Sequence, residues 1–298
     1  MNNRDDWLGM RKMMHYFERL QREIDFQKEY EKLETMISCE LYSRLRWGSY
    51  TINTWIEENF RKWEKRGNYI SFSEVRSQLG FEIDESNISD GRFARSGLMS
   101  DVSMEEYFLF GELLLNIFFD LYECEMSSDL RDGIGYIIDT LNSNIEKSGF
   151  EVKQIDDRYL IVEKDAVAIE VADYVPALSD VIVDYNHYLL RGNLTRKQEL
   201  LRKITSSLEP KRNVLGSLNK SATDDFFWMV NKMNIRHNNC DPSDSGKYVP
   251  QFACLTAIER EEWYDKIYEQ ALMLYVLLKG NVRKQEIKAF KQVVEALN

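Results

Sequence analysis

The chain has 298 residues, of which 44% are apolar and 12% aromatic, enough for one large or two ordinary domains with a real core; wholesale disorder is excluded. A formal net charge of −11 gives the chain no generic attraction to nucleic acid, so any such contact needs a local basic patch. Only four prolines and 14 glycines favour long helices over a many-turned β architecture, and cysteines 39, 124, 240 and 254, without paired spacing, point to a reducing cytoplasm.

Taken in order, the chain begins with acids and leads into no apolar core of the signal-peptide kind. Residues 7 to 47 read as helix, with Met10, Met14, Phe17 and Leu20 at helical spacing and His15 at the edge of a packed face. Trp47-Gly48-Ser49 is a break. Thr54 to Arg66 reads as a second helix anchored by Trp55, Phe60 and Trp63, and Ser71 or Ser73 caps a short one ended by Gly80. Between 81 and 103 there is no period; Asp90-Gly91 and Ser96-Gly97 are turn signals, and Arg92 and Arg95 mark an exposed loop.

The most apolar run, Tyr107 to Tyr122, is interrupted by Glu112, Asn116 and Asp120 at four-residue spacing. Such a stripe marks an amphipathic helix with a wetted face, not a membrane span, so no membrane partner is expected. Asp129 to Ser148 is a further helix closed by Gly149.

The period then changes. Phe150 to Ile155, the turn Asp156-Asp157, and Arg158 to Lys164 alternate as a β-hairpin, which sets the domain boundary: a helical domain over 1–149, and a hairpin plus helical bundle over 150–298. Pro176 opens a helix to about Leu190 that carries His187. Another runs from Leu194 or Thr195 to Leu208 and is broken at Glu209-Pro210. Thr256 and Glu259 form a capping box for a long helix, Gly280-Asn281 ends it, and a last helix follows to about Leu297. The fold class is therefore mainly α with one short hairpin.

One stretch stands apart. Phe226 to Val230 is too apolar all round for a surface helix, which places it inside a bundle, with Thr223 as N-cap and Asp224 and Asp225 at the positive end of its dipole. The composition then flips to Asn231, Lys232, Asn234, Arg236, His237, Asn238 and Asn239. On a continuous helix Asn231, Asn234 and Asn238 form one polar stripe with His237 at its edge, Arg236 points ~100° away from His237, and His187 faces the stripe from its own helix. The bland reading is a helix end, where Asn takes the left-handed cap and Arg and His suit the negative dipole. Other templates fail. No glycine-rich loop follows a strand, no serine elbow is present, and His237 with Cys240, Asp241 and Asp244 lacks the further ligands of a closed zinc site, so neither metal nor cofactor is expected.

The second half resembles the HEPN superfamily, in particular the helical C-terminal parts of bacterial abortive-infection proteins. The resemblance rests on Asp184-Tyr-Asn-His-Tyr188, Leu208-Glu-Pro-Lys-Arg212, Val230-Asn-Lys-Met-Asn-Ile-Arg-His-Asn-Asn239 and Trp263-Tyr-Asp-Lys-Ile-Tyr268. It implies a compact helical bundle that homodimerises, so that two motifs of Arg and His form one RNA-cutting cleft. His237 fits the motif His. The motif Arg falls at Asn231 or Lys232, neither of which is Arg, and Arg236 directly precedes the His instead.

The resemblance thus implies a metal-independent endoribonuclease of a toxin or phage-defence system. His237 would act in proton transfer and Arg236 in charge stabilisation. Asn231, Lys232, Asn234, Asn238 and His187 would bind the substrate. RNA and a second copy would be the partners, with a further protein partner recognised through the first half. Because some relatives only bind, the alternative is a non-catalytic helical interaction or regulatory protein. Arg236 capping its own helix and asparagines bonded within the monomer would favour that alternative.

Overall fold

A computed structural model of the protein describes residues 24–40, 50–81 and 102–296. The chain divides into two compact units, Met1–Ile161 and Val162–Asn298, so β1 of the hairpin and most of β2 fall in the first. The first-half expectations for Met10, Met14, His15, Phe17, Leu20, Trp47-Gly48-Ser49, Asp90-Gly91, Arg92, Arg95 and Ser96-Gly97 lie outside the described residues.

In the first unit α1 (Phe26–Ser38) is capped by Asp25 and α2 (Ile52–Asn59) by Thr51. The helix expected to run to Arg66 stops at Asn59 and continues as two short 3-10 turns. Ser71 caps α3 (Phe72–Gln78), and a full capping box between Ser103 and Glu106 opens α4 (Met104–Asp120). The helix α5 (Ser128–Lys147) stops at Gly149, whose φ of +86° only glycine adopts at little cost. The core is aromatic: Trp55, Phe60, Phe72, Phe81, Tyr107, Phe108, Phe110 and Phe118 are all fully buried. A buried ion pair between Arg76 and Glu34 at 2.5 Å crosses it, and the Tyr30 hydroxyl donates to the same carboxylate.

The hairpin forms as expected, β1 (Phe150–Ile155) paired with β2 (Arg158–Glu163). Its outer edge overturns the reading of the α4 stripe as a wetted face. Asn116 donates to the Tyr159 carbonyl at 2.8 Å and accepts from its N–H at 3.0 Å, and Glu112 accepts from the Ile161 N–H at 2.9 Å. Asp120 accepts from the Trp63 indole at 2.7 Å and from Lys65 at 2.8 Å. Glu112 and Asn116 stand in for a third strand, satisfying backbone groups that an edge otherwise leaves open, whereas Asp120 remains exposed.

The second unit is a helical bundle: α6 (Ala166–Tyr174), α7 (Ser179–Asn186), α8 (Leu194–Leu208), α9 (Arg212–Leu218), α10 (Lys220–Lys232), the short α11 (Pro250–Ala253) and α12 (Ala257–Ala296). Its core joins Leu200, Leu201, Ile204 and Leu208 of α8, Phe226, Phe227 and Val230 of α10, and Ile267, Ala271, Leu274 and Tyr275 of α12. Three expectations fail here. The helix α6, capped by Asp165, was not foreseen. The helix opened by Pro176 is interrupted at His187, whose ψ of 133° is extended. Gly280 and Asn281 do not end a helix, because Gly280 keeps a negative φ and α12 runs through them for 40 residues.

Candidate functional site

The helix α10 sets the site, although it begins and ends elsewhere than the sequence suggests. Its N-cap is Asn219, which accepts from the Ala222 N–H at 3.1 Å; Thr223 lies a turn inside and is buried. Nor is the opening run buried on every side. Phe226, Phe227 and Val230 enter the core, whereas Trp228 is 57% exposed. Trp228 shares its face with Asn231 and Lys232, three and four residues on, which the all-round apolar reading concealed.

The helix closes at Lys232. Asn234 takes a left-handed φ of +61°, and the Arg236 N–H returns to the Val230 carbonyl at 3.1 Å. The expected stripe of Asn231, Asn234 and Asn238 therefore does not form, since the three residues no longer share a helix. Asparagine tolerates this backbone better than other side chains, which suits Asn234 to the point where the chain turns.

Two asparagines then build a clasp. The Asn234 N–H donates to Asn239 Oδ1 at 2.9 Å, and the Asn239 N–H donates to Asn234 Oδ1 at 3.0 Å. Asn239, buried, also donates through Nδ2 to the Lys247 carbonyl at 2.6 Å, and its carbonyl accepts from the Val249 N–H at 2.9 Å. Gln198 donates to the Asn234 carbonyl and Arg202 to the Ile235 carbonyl, fixing the turn to α8. Sequence reading placed Asn234 at the substrate; the structure uses its polar groups to hold the turn. Asn239 was part of the cluster but assigned no role.

The clasp brings the distant loop back beside the turn. Arg236 pairs with Glu209, at the end of α8, and its Nη1 reaches Asn231 Oδ1 at 3.4 Å. His237, half-buried, follows it. Burial holds the His237 imidazole below its ordinary pKa of 6.5, and the cations Lys247, Arg236 and Lys232 push the same way against an opposing pull from Asp244. At neutral pH the ring is neutral and able to accept a proton. Lys232 and Asn238 are exposed. Three cations in three different settings, a helix end, the turn and a loop, thus act on the His237 ring, with Glu209 paired to Arg236 and Asp244 opposing them.

His187 is seated elsewhere than expected. It forms the C-cap of α7, its backbone bridges to Val162, and its ring lies 4.6 Å from that of Tyr188. There is no asparagine stripe for it to face. Among the described residues no group of three His, Cys, Asp or Glu side chains gathers to hold a metal ion. Comparison of the chain with protein-family models, with curated proteins and with solved structures returns no match.

Proposed function

We propose that the protein is a HEPN-like, metal-independent endoribonuclease acting as a toxin or phage-defence effector. The observation that supports this reading is the neutral, half-buried His237 surrounded by Lys247, Arg236 and Lys232. A general base beside concentrated positive charge suits attack within a phosphodiester. His237 takes the proton from an RNA 2′-hydroxyl. The freed oxygen attacks phosphorus, and the bond to the 5′-oxygen breaks. The 5′-oxygen leaves as a hydroxyl by taking a proton back from the imidazolium, and a 2′,3′-cyclic phosphate remains. Arg236 and the two lysines stabilise the charge that grows on the phosphoryl oxygens. Because the nucleophile is the 2′-hydroxyl, DNA is not a substrate. The exposed Trp228 offers a stacking face for a base of a single strand.

A second reading, a non-catalytic interaction or regulatory protein, draws on a different observation. Arg236 is held by Glu209 and Asn231, and the asparagines bond one another within the monomer. The test is RNA cleavage by purified protein in EDTA, wild type against His237→Ala, with the variant's fold checked by thermal melt. Cleavage that survives the chelator and vanishes in a stably folded variant is the expected result. Cleavage that persists in the variant sinks the assignment of His237, and binding of RNA without cleavage by either protein favours the second reading.

A further inference from the structure

Along α8 and the 3-10 turn that follows it, three side chains meet three successive residues of the turn after α10. Gln198 donates to the Asn234 carbonyl, Arg202 donates to the Ile235 carbonyl at 2.7 Å, and Glu209 pairs with the Arg236 guanidinium. The first two bonds are to backbone and fix where the turn lies. The third differs in kind. It joins two side chains, and it engages the guanidinium that the proposed chemistry needs at a phosphate. Arg236 Nη2 meets Glu209 Oε1, and Arg236 Nη1 reaches Asn231 Oδ1 at 3.4 Å. A carboxylate and a phosphodiester each offer two acceptor oxygens to such a fork, so they compete for it.

The pair sits where it can be exchanged. The side chains of Arg236 and Glu209 are 32% and 44% exposed. An ion pair so wetted holds weakly, within about a fivefold change in an equilibrium constant. By contrast the Arg76–Glu34 pair of the first unit is almost fully buried, and opening it would strand a charge in the core. We propose that Glu209 is a built-in competitor for the substrate phosphate: in the free protein it holds Arg236, and RNA binds by taking Arg236 from it. The inference deepens the nuclease reading and rests on it for the contact between RNA and this turn. It also accounts for Arg236 being held within the monomer, the observation behind the second reading.

The test uses the full chain carrying His237→Ala, so that RNA is not cut, and the fluorescence anisotropy of a short single-stranded RNA at low ionic strength. Glu209→Gln keeps the size of the side chain and removes its charge. It is expected to tighten RNA binding by up to about fivefold, the most that an exposed pair supports. Arg236→Gln is expected to weaken binding. The deciding protein carries both substitutions: because Glu209 acts through Arg236, Glu209→Gln should change nothing once Arg236 is gone. Thermal melts check that all four proteins are folded. Weaker binding by Glu209→Gln would mean that the carboxylate positions Arg236 for RNA, and an equal gain with and without Arg236 would mean that it merely repels the strand. Either result overturns the competition, as does unchanged binding. Failure of the nuclease reading shows separately. RNA bound in the expected pattern, yet not cut when His237 is intact, sinks the nuclease and leaves the competition standing, whereas no RNA binding by any of the four proteins overturns both.

Discussion

His237 takes its character from charges that arrive by different routes, and each can be removed singly. With its pKa held below the ordinary 6.5, the free imidazole persists to lower pH, so a base-limited cleavage rate rises with pH through a midpoint below that value. Lys247 repels the imidazolium, and Lys247→Gln is expected to move both the rate limb and the ring's NMR titration towards higher pH. Asp244 acts in the opposite sense, so Asp244→Asn is expected to move them lower. A titration unchanged by both substitutions would mean that the loop does not sit beside the ring in solution. The adjacency of Arg236 and His237 was legible in the sequence, and so was the tendency of asparagine to turn a helix end. Lys247 was not legible, because only the bonds of Asn239 to the Lys247 and Val249 backbone bring that loop home. No local period announces a contact made by one buried amide.

Elements with strong local signals were readable, and those whose boundaries depend on tertiary contact were not. The capping box at Thr256 and the alternation of the hairpin follow from short-range chemistry. By contrast, a polar stripe looks the same whether water or a strand edge satisfies it, and Glu112 and Asn116 serve the edge of the hairpin, while Asp120 stays exposed. Gly280-Asn281 carries the composition of a helix stop, yet α12 passes through it, since packing on the helices before it overrides the local preference. A Cβ added at Gly280 meets nothing within 4 Å, and its φ is negative. Gly280→Ala is therefore expected to stabilise the chain by about 1 kcal/mol, the usual gain in a helix interior, measured by chemical denaturation. A loss of stability would mean that the helix breaks there.

At the scale of the whole molecule, charge decides how RNA would be met under the proposed nuclease function. A chain with a formal net charge of −11 repels a polyanion at long range, and only close contact with a local patch reverses the sign. Composition made that requirement plain but could not locate the patch, because Lys232, Arg236 and Lys247 are scattered along a sequence in which acids outnumber bases. Folding gathers them at one turn, where all three act on His237. Each phosphate neutralised on a single strand contributes about −0.7 to the slope of log affinity against log salt, so three cations predict a slope of about −2. Binding of a short single-stranded RNA to His237→Ala, measured by fluorescence anisotropy across salt concentrations, checks this without cleavage. Lys232→Gln or Lys247→Gln should each reduce the slope by about 0.7, with little dependence on RNA sequence. A slope several times steeper, unmoved by either substitution, would place the RNA on a larger basic surface elsewhere and leave His237 without a substrate.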